Sequence, residues 1–242
     1  TSLRWQGVRI NIVDTPGHAD FGGEVERVLS MADGALLLVD AFEGTMPQTR
    51  FVLRKAFEAG LKPLVVVSKM DRPDARPEEV VDEVFSLFID LGADEGALES
   101  PVIFTSAREG WASREPGRRG TDLAELFEAI LSHVPPPPDD PVGPLRFRVS
   151  TLDWSDFVGR IAIGRVHAGA LRVGERVARI TAQGQRREAE IRGLFRFEGL
   201  RRIECAEVGA GDIAALHGVE EIAIGDSLVA LEGAAPLPPI AI

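Results

Sequence analysis

The sequence predicts an α/β domain built on a mostly parallel sheet with flanking helices, followed by an all-β barrel. Three observations predict it. Through residues 8–133, short continuous apolar runs alternate with segments of helical period, the pattern of strands buried on both faces of a parallel sheet. From residue 142 the apolar residues fall instead in short runs broken by glycine about every 8–12 residues, as in a small antiparallel barrel. Between the two stretches stands HVPPPPDDP (residues 133–141), whose consecutive prolines fix φ and favour an extended, semi-rigid segment. The domains expected are therefore residues 1–134 and 142–242, joined by a linker at 135–141.

Taken in order, residues 1–7 (TSLRWQG) read as the end of a strand that turns at Gln6-Gly7 into a second strand over 8–13, an antiparallel hairpin. GALLLVD at 34–40 is a fully apolar strand. The helix expected over 47–59 has Pro47 in its first turn and Gly60 as its stop. A buried strand follows at 64–67, a long amphipathic helix at 77–91, a further strand at 102–105 and a closing helix at 122–133. In the second half Phe147, Val149, Ile161, Ile163, Val166, Val177, Ile180, Ile191, Ile213, Leu216 and Leu228 mark the short strands.

Composition narrows the functional classes. Hydrophobic residues are 45% and charged residues 27% of 242, a soluble globular balance. No apolar run approaches the ~18 residues of a membrane span, and no charged and apolar leader opens the chain. Cys205 is the single cysteine, so neither a disulfide framework nor a cysteine zinc site is expected, and a reducing cytoplasm is the natural compartment. A net charge of −11 argues against a protein that coats DNA or RNA non-specifically. The charge is uneven: from Pro141 onward there are 13 arginines, 13 acidic residues and no lysine. That half is the better suited to phosphate, because guanidinium forks match phosphate geometry.

Three short motifs close three apolar strands. Asp14-Thr15-Pro16-Gly17-His18 follows the strand at 8–13, at the carboxyl end where ligands bind in open α/β sheets. Asp14 could hold Mg²⁺ through water, Gly17 could let a backbone N–H approach a terminal phosphate, and His18 could orient an attacking water. Ser68-Lys69-Met70-Asp71 closes the strand at 64–67. A carboxylate at Asp71 can accept from both guanine N1 and N2, which adenine cannot match, and the lysine stem can lie along the base. Ser106-Ala107 closes the next strand and offers backbone N–H groups to the guanine carbonyl. Each motif alone is commonplace, a tight turn or a lysine and an aspartate in a loop; the three together, in one sheet and in the order phosphate, base, base, are not.

At these residues a resemblance is plain. DTPGHADFGGEVERVLSMADGALLLVDAFEG resembles the second switch region and following strand of translational GTPases, among them elongation factors G and Tu. MPQTRFVLRKAFEAGLKP and DRPDARPEEVVDEVFSLFIDLGA look like the BipA/TypA family, and GRIAIGRVHAGALRVGERV with AGDIAAL resemble the second-domain signatures of these factors. The resemblance implies a P-loop GTPase-type sheet and a translation-factor barrel. It implies GTP or GDP and Mg²⁺ as ligands, Asp14 on Mg²⁺ through water, Gly17 on the γ-phosphate and His18 on the hydrolytic water. Ser68, Lys69, Asp71, Ser106 and Ala107 would bind guanine. It also implies a cytoplasmic protein acting on the ribosome, with no membrane and no DNA, its barrel against ribosomal RNA; Arg160, Arg165, Arg172 and Arg176 are the arginines to consider.

The likeness fails in places. No G-x-x-x-x-G-K-[ST] occurs and no first-switch threonine is present, so hydrolysis by this chain alone is not expected. Ser68 stands where the family has asparagine, which predicts weaker guanine binding. The strand at 8–13 and that at 34–40 would flank a strand that is not among these residues, which predicts a looser α/β half than barrel. A non-catalytic ribosome-binding module is the alternative reading, and another translational GTPase of the elongation factor G kind is a third.

Overall fold

The structure is a computed structural model that describes residues 1–15 and 22–238. The chain forms two compact units, one of residues 16–25 and 32–136, the other of residues 1–15, 26–31 and 137–242.

The sheet of the first unit has four strands in the order β3 (Ala35–Asp40), β4 (Pro63–Ser68), β5 (Val102–Ser106) and β6 (Trp111–Ser113). β3, β4 and β5 are parallel and β6 is antiparallel to β5. Strand β4 (PLVVVS) shows why an unbroken apolar run forms here: Val65 and Val67 enter one core with Val80, Val84 and Phe88, whereas Leu64 and Val66 enter another with Ile103 and Ala129. Both faces are covered, as a parallel sheet requires. The helices are α1 (Gly22–Leu29), α2 (Pro47–Glu58), α3 (Pro77–Asp90), α4 (Glu95–Leu98) and α5 (Ala124–His133). Pro47 and Pro77 sit in the first turns of α2 and α3, where a missing N–H costs nothing. Asp94 caps α4 by accepting from the Ala97 N–H at 2.8 Å. Asp122 accepts from the Ala124 N–H, so α5 starts two residues later than its periodicity suggests. β3 is an edge strand on which Leu36 and Leu38 are exposed, Leu38 at 63%.

In the second unit, β1 (Ser2–Trp5) and β2 (Val8–Asn11) form the expected hairpin, turning at Gln6-Gly7 with both residues at positive φ. The strands β2 and β3 lie in different sheets. An eight-stranded antiparallel sheet follows, built from β7 (Arg146–Ser155), β8 (Gly159–Ala168), β10 (Arg176–Ile180), β11 (Arg186–Glu190), β12 (Gly193–Glu198), β13 (Arg201–Glu204), β15 (Ile213–His217) and β16 (Ser227–Ala230). β9 (Ala170–Arg172) pairs separately with β14 (Glu207–Gly209). One core collects Phe147, Val149, Val166, Leu171, Val177, Ile191, Leu194, Leu216 and Leu228 from alternate strand positions, so the sheet wraps around a single interior. Hairpin β1–β2 is tied to this unit: the Ser2 N–H donates to Gly199 O and Asn11 donates to Asp212 at 2.8 Å. The last linker residues are tied too. Asp140 bridges in parallel to Ala168, and its N–H donates to His167 O at 3.2 Å.

Candidate functional site

The carboxyl ends of β3, β4 and β5 lie side by side, with Asp40 in register with Ser68 and Val67 with Phe104. This is where an open α/β sheet binds ligands. Four of the residues that close these strands hold one another in place.

Asp71 follows β4 in the turn that begins at Lys69, and its side chain is 13% exposed. Its Oδ1 accepts a 2.6 Å hydrogen bond from Ser106 Oγ at the end of β5. That serine is buried and also accepts from the Glu109 N–H at 3.2 Å, so its hydroxyl hydrogen is committed to Asp71. The Ser106 bond, opposed by partial desolvation, holds the Asp71 carboxyl below the usual carboxylate range. The second oxygen, Oδ2, lies 3.8 Å from the 87%-exposed Arg108 guanidinium. The result is an ionised, oriented carboxylate that can accept two N–H groups from one edge of a planar ring.

Lys69 adopts φ +60, a conformation that costs a non-glycine residue about 1–3 kcal/mol. Its ammonium lies 2.6 Å from Asp40 Oδ2 at the end of β3. Asp40 Oδ1 accepts from the Phe42 and Glu43 N–H groups at 2.8 and 3.2 Å. Burial pushes the Asp40 carboxyl up, but Lys69 and the two backbone donors outweigh it and bring the pKa to about 2. Arg72 stacks on Phe42 at 4.7 Å and forks onto Asp74 through two 2.9 Å bonds. Sequence reasoning did not single out Asp40; an acid closing a fully apolar strand beside a K-x-D strand end was the signal available.

Ser68 turns its hydroxyl to the β3 backbone, donating to Val39 O at 3.2 Å. It therefore links β4 to β3 rather than reaching Asp71. Ala107 is exposed directly after Ser106. Asp14 is an exposed residue beyond β2, in the other unit. Gly17 and His18 lie outside the described residues. Among the described residues no group of three His, Cys, Asp or Glu side chains could hold a metal; Lys69, Asp71 and Ser106 lie together at the neighbouring ends of β4 and β5. No helix of the described residues is long and apolar enough to cross a membrane.

The arginines singled out in the second half are engaged within their own unit. Arg160 donates to Ile222 O at 2.8 Å, Arg172 forks onto Glu207, and Arg176 pairs with Glu188 at 2.7 Å. Arg165 is 4% exposed; it donates to Asp139 at 3.0 Å and to Met31 O at 2.9 Å. Arg165 is thus an internal clamp on the linker, and its burial removes it from the arginines that could meet RNA.

Comparison with known proteins agrees with this geometry. The family model described as elongation factor Tu GTP binding domain matches residues 1–136, and that of elongation factor Tu domain 2 matches residues 159–229. The chain is 50% identical over 238 residues to the large ribosomal subunit assembly factor BipA of Bacillus subtilis, covering 98% of this chain and 39% of that protein. It is 51% identical to the BipA of Synechocystis, again over 98% of this chain, and 47% identical over its full length to that of Salmonella typhimurium. The chain spans about 40% of the length of these relatives.

Proposed function

Because the chain belongs to the translational GTPases with an elongation factor Tu-type GTP-binding domain, in their BipA branch, we propose that it is the GTP-binding and barrel portion of a ribosome-associated GTP hydrolase. In this reading Asp71 accepts from guanine N1 and N2, the Lys69 stem lies along the base, and the backbone after Ser106 and Ala107 meets the base carbonyl. The observation that carries it is the Ser106–Asp71 bond of 2.6 Å at adjacent strand ends, which aims a committed carboxylate outward. Oδ2 lies 3.8 Å from the exposed Arg108, and Ser106 leaves it unengaged.

Mg²⁺ would supply charge neutralisation between the phosphates, with Asp14 holding it through water. Gly17 would meet the γ-phosphate and His18 would orient the water that attacks it, giving GDP and phosphate. The name of the relatives supports the large ribosomal subunit as partner; in this reading the protein works in the cytoplasm, with its barrel against ribosomal RNA. The second reading, a non-catalytic ribosome-binding module, draws on Ser68, whose hydroxyl serves Val39 O instead of the base-reading loops.

Titration with fluorescent GDP and Mg²⁺, with fluorescent ADP as control, tests the reading on this chain and on the full-length protein. Guanine-selective binding by the full-length protein, with GTP turnover on addition of ribosomes, is expected. Equal binding of GDP and ADP, or ribosome binding without turnover, would overturn the hydrolase reading and leave the binding module.

A further inference from the structure

Two arginines in the barrel unit stand apart from the others. Arg146 and Arg148 lie two residues apart on β7 and so project from one face of the strand. Phe147 and Val149, of the opposite parity, are fully buried in the core. The arginine face is therefore the outer face of the sheet. Register places Ser227 of β16 on one side of Arg148 and Arg165 of β8 on the other, with Val229 and Ala168 flanking Arg146.

Neither guanidinium has an ion-pair or hydrogen-bond partner among the described residues, although both are partly buried. The Arg146 Nε is shielded from solvent and has no acceptor. Asp139 is already taken by Arg165, with His167 at 3.6 Å from its other oxygen, and Asp140, which bridges to Ala168 beside Arg146, turns an oxygen to the Val142 and Gly143 N–H groups. Burial first, and then the charge of Arg146, push the Arg148 guanidinium toward a lower pKa. Shielded like charges without a counter-charge are unfavourable. An oxyanion seated between them would convert the repulsion into charge-assisted forked bonds.

We propose that the face of β7 opposite the core is a phosphate-binding site in which Arg146 and Arg148, both partly buried and without a partner among the described residues, grip one phosphodiester of an RNA backbone. The choice of RNA as the source of the phosphate rests on the ribosomal reading above. Arg160, Arg165, Arg172 and Arg176 are occupied by internal partners, Arg165 on the same face beside Arg148.

The test uses the full-length protein carrying Arg146→Gln and Arg148→Gln, with Arg172→Gln and Arg176→Gln as the control pair. Binding to purified large ribosomal subunits and to a fluorescein-labelled RNA hairpin is measured between about 50 and 200 mM salt. Fluorescent-GDP affinity and thermal melting verify that each variant is folded. The β7 pair is expected to lose about tenfold or more in RNA affinity, with a salt slope shallower by about 0.7–0.9, one phosphate contact. The control pair should stay within about threefold of the parent. Replacing both β7 arginines by lysine should keep the salt slope and lose part of the affinity, because the charge survives and the fork does not. If the glutamine variants melt early, the lysine variants and the single Arg148→Gln carry the comparison.

Unchanged hairpin binding by the β7 variants overturns the site, whatever ribosomes do. Equal loss in both pairs overturns it too, since it would reveal only general charge. Should the parent bind the hairpin through Arg146 and Arg148 yet ignore ribosomal subunits, the ribosomal reading fails and the site stands. Stabilisation of the parent by inorganic phosphate, lost in the β7 variants while hairpin binding is not, would reassign the site to a free anion and overturn RNA as its source.

Discussion

Removing the Ser106 hydroxyl tests the base-reading assignment most directly. The bond from Ser106 Oγ to Asp71 Oδ1 is short, 2.6 Å, and made to an ionised carboxylate whose side chain is only 13% exposed. Hydrogen bonds to charged groups of this kind contribute about 1.5–3 kcal/mol. In Ser106→Ala, Asp71 keeps its charge but loses the contact that aims it, and the exposed Arg108 at 3.8 Å is free to draw it outward. The full-length protein should then bind fluorescent GDP about 10- to 150-fold more weakly at neutral pH, 1.4 kcal/mol being a factor of ten. Selectivity over ADP should fall with it. A pH signature accompanies the loss. Because the Ser106 bond is the main cause that lowers the Asp71 pKa, the parent keeps an ionised acceptor as pH falls, and the variant should lose GDP affinity at a higher pH. A change of less than about twofold in GDP affinity, with the acid limb unmoved, would show that Asp71 does not read the base through this geometry.

Other expectations follow from single contacts. Asp40, with a folded pKa of about 2 against an unfolded value of about 3.9, contributes stability that is present above about pH 4 and lost as pH falls through about 2; since Lys69 is 59% exposed, the discounted contribution is about 1 kcal/mol, and urea midpoints of Asp40→Asn should lack this acid limb. Arg165→Ala would leave Asp139, 8% exposed, without its counter-charge, and thermal melting should report about 3–5 kcal/mol of destabilisation; a loss under about 1 kcal/mol would contradict the clamp. A Cβ at Gly164 would stand 1.7 Å from Arg148 O on β7, so Gly164→Ala should destabilise the barrel by about 3 kcal/mol or more, and an unchanged melting temperature would refute the close strand approach. Ser68→Asn should tighten GDP binding by the full-length protein about fivefold, one hydrogen bond's worth; unaltered affinity would count against any cost of the serine.

How much was legible depended on whether the signal was local. Strand β4 was visible because four apolar residues in a row, 64–67, three of them β-branched and bounded by Pro63 and Ser68, favour a short buried strand. The starts of α2 and α3 were visible because Pro47 and Pro77 announce them. Two of the three motifs were legible as neighbours because they close the adjacent strands β4 and β5, where Asp71 meets Ser106; the third follows β2, which lies in a different sheet, against the expectation of one sheet for all three. Helix α4 and strand β6, four and three residues long, were too short to leave a period. The partners of the arginines were hidden for a different reason. Arg165 and Asp139 are 26 residues apart, and Arg172 and Glu207 are 35 apart. Such pairs are chosen by sheet register, which a one-dimensional pattern does not carry. Hence the four arginines that stood out in sequence all have internal acceptors, and Arg146 and Arg148, partly buried and without one among the described residues, did not stand out.

The same point about register bears on Ser68. A side-chain amide would be one way to tie the strand ends that frame the base; in this chain the ties are distributed. Ser68 holds β4 to the Val39 carbonyl of β3, Lys69 holds the turn after β4 to Asp40, and Ser106 holds the same turn to β5. Thr105 adds a bond to Val67 O at 3.4 Å, and the Met70 N–H donates to Thr105 O at 3.1 Å. Two of these ties join β4 and its turn to β3 and three join them to β5, so no single one fixes the whole frame. Losing the long amide at position 68 therefore costs reach toward the base without dissolving the frame. That is why the serine fits a binding site of reduced affinity better than a dismantled one: in a dismantled site Asp71 would have no need of a committed donor, and the hydroxyl of Ser106 would be free to turn elsewhere.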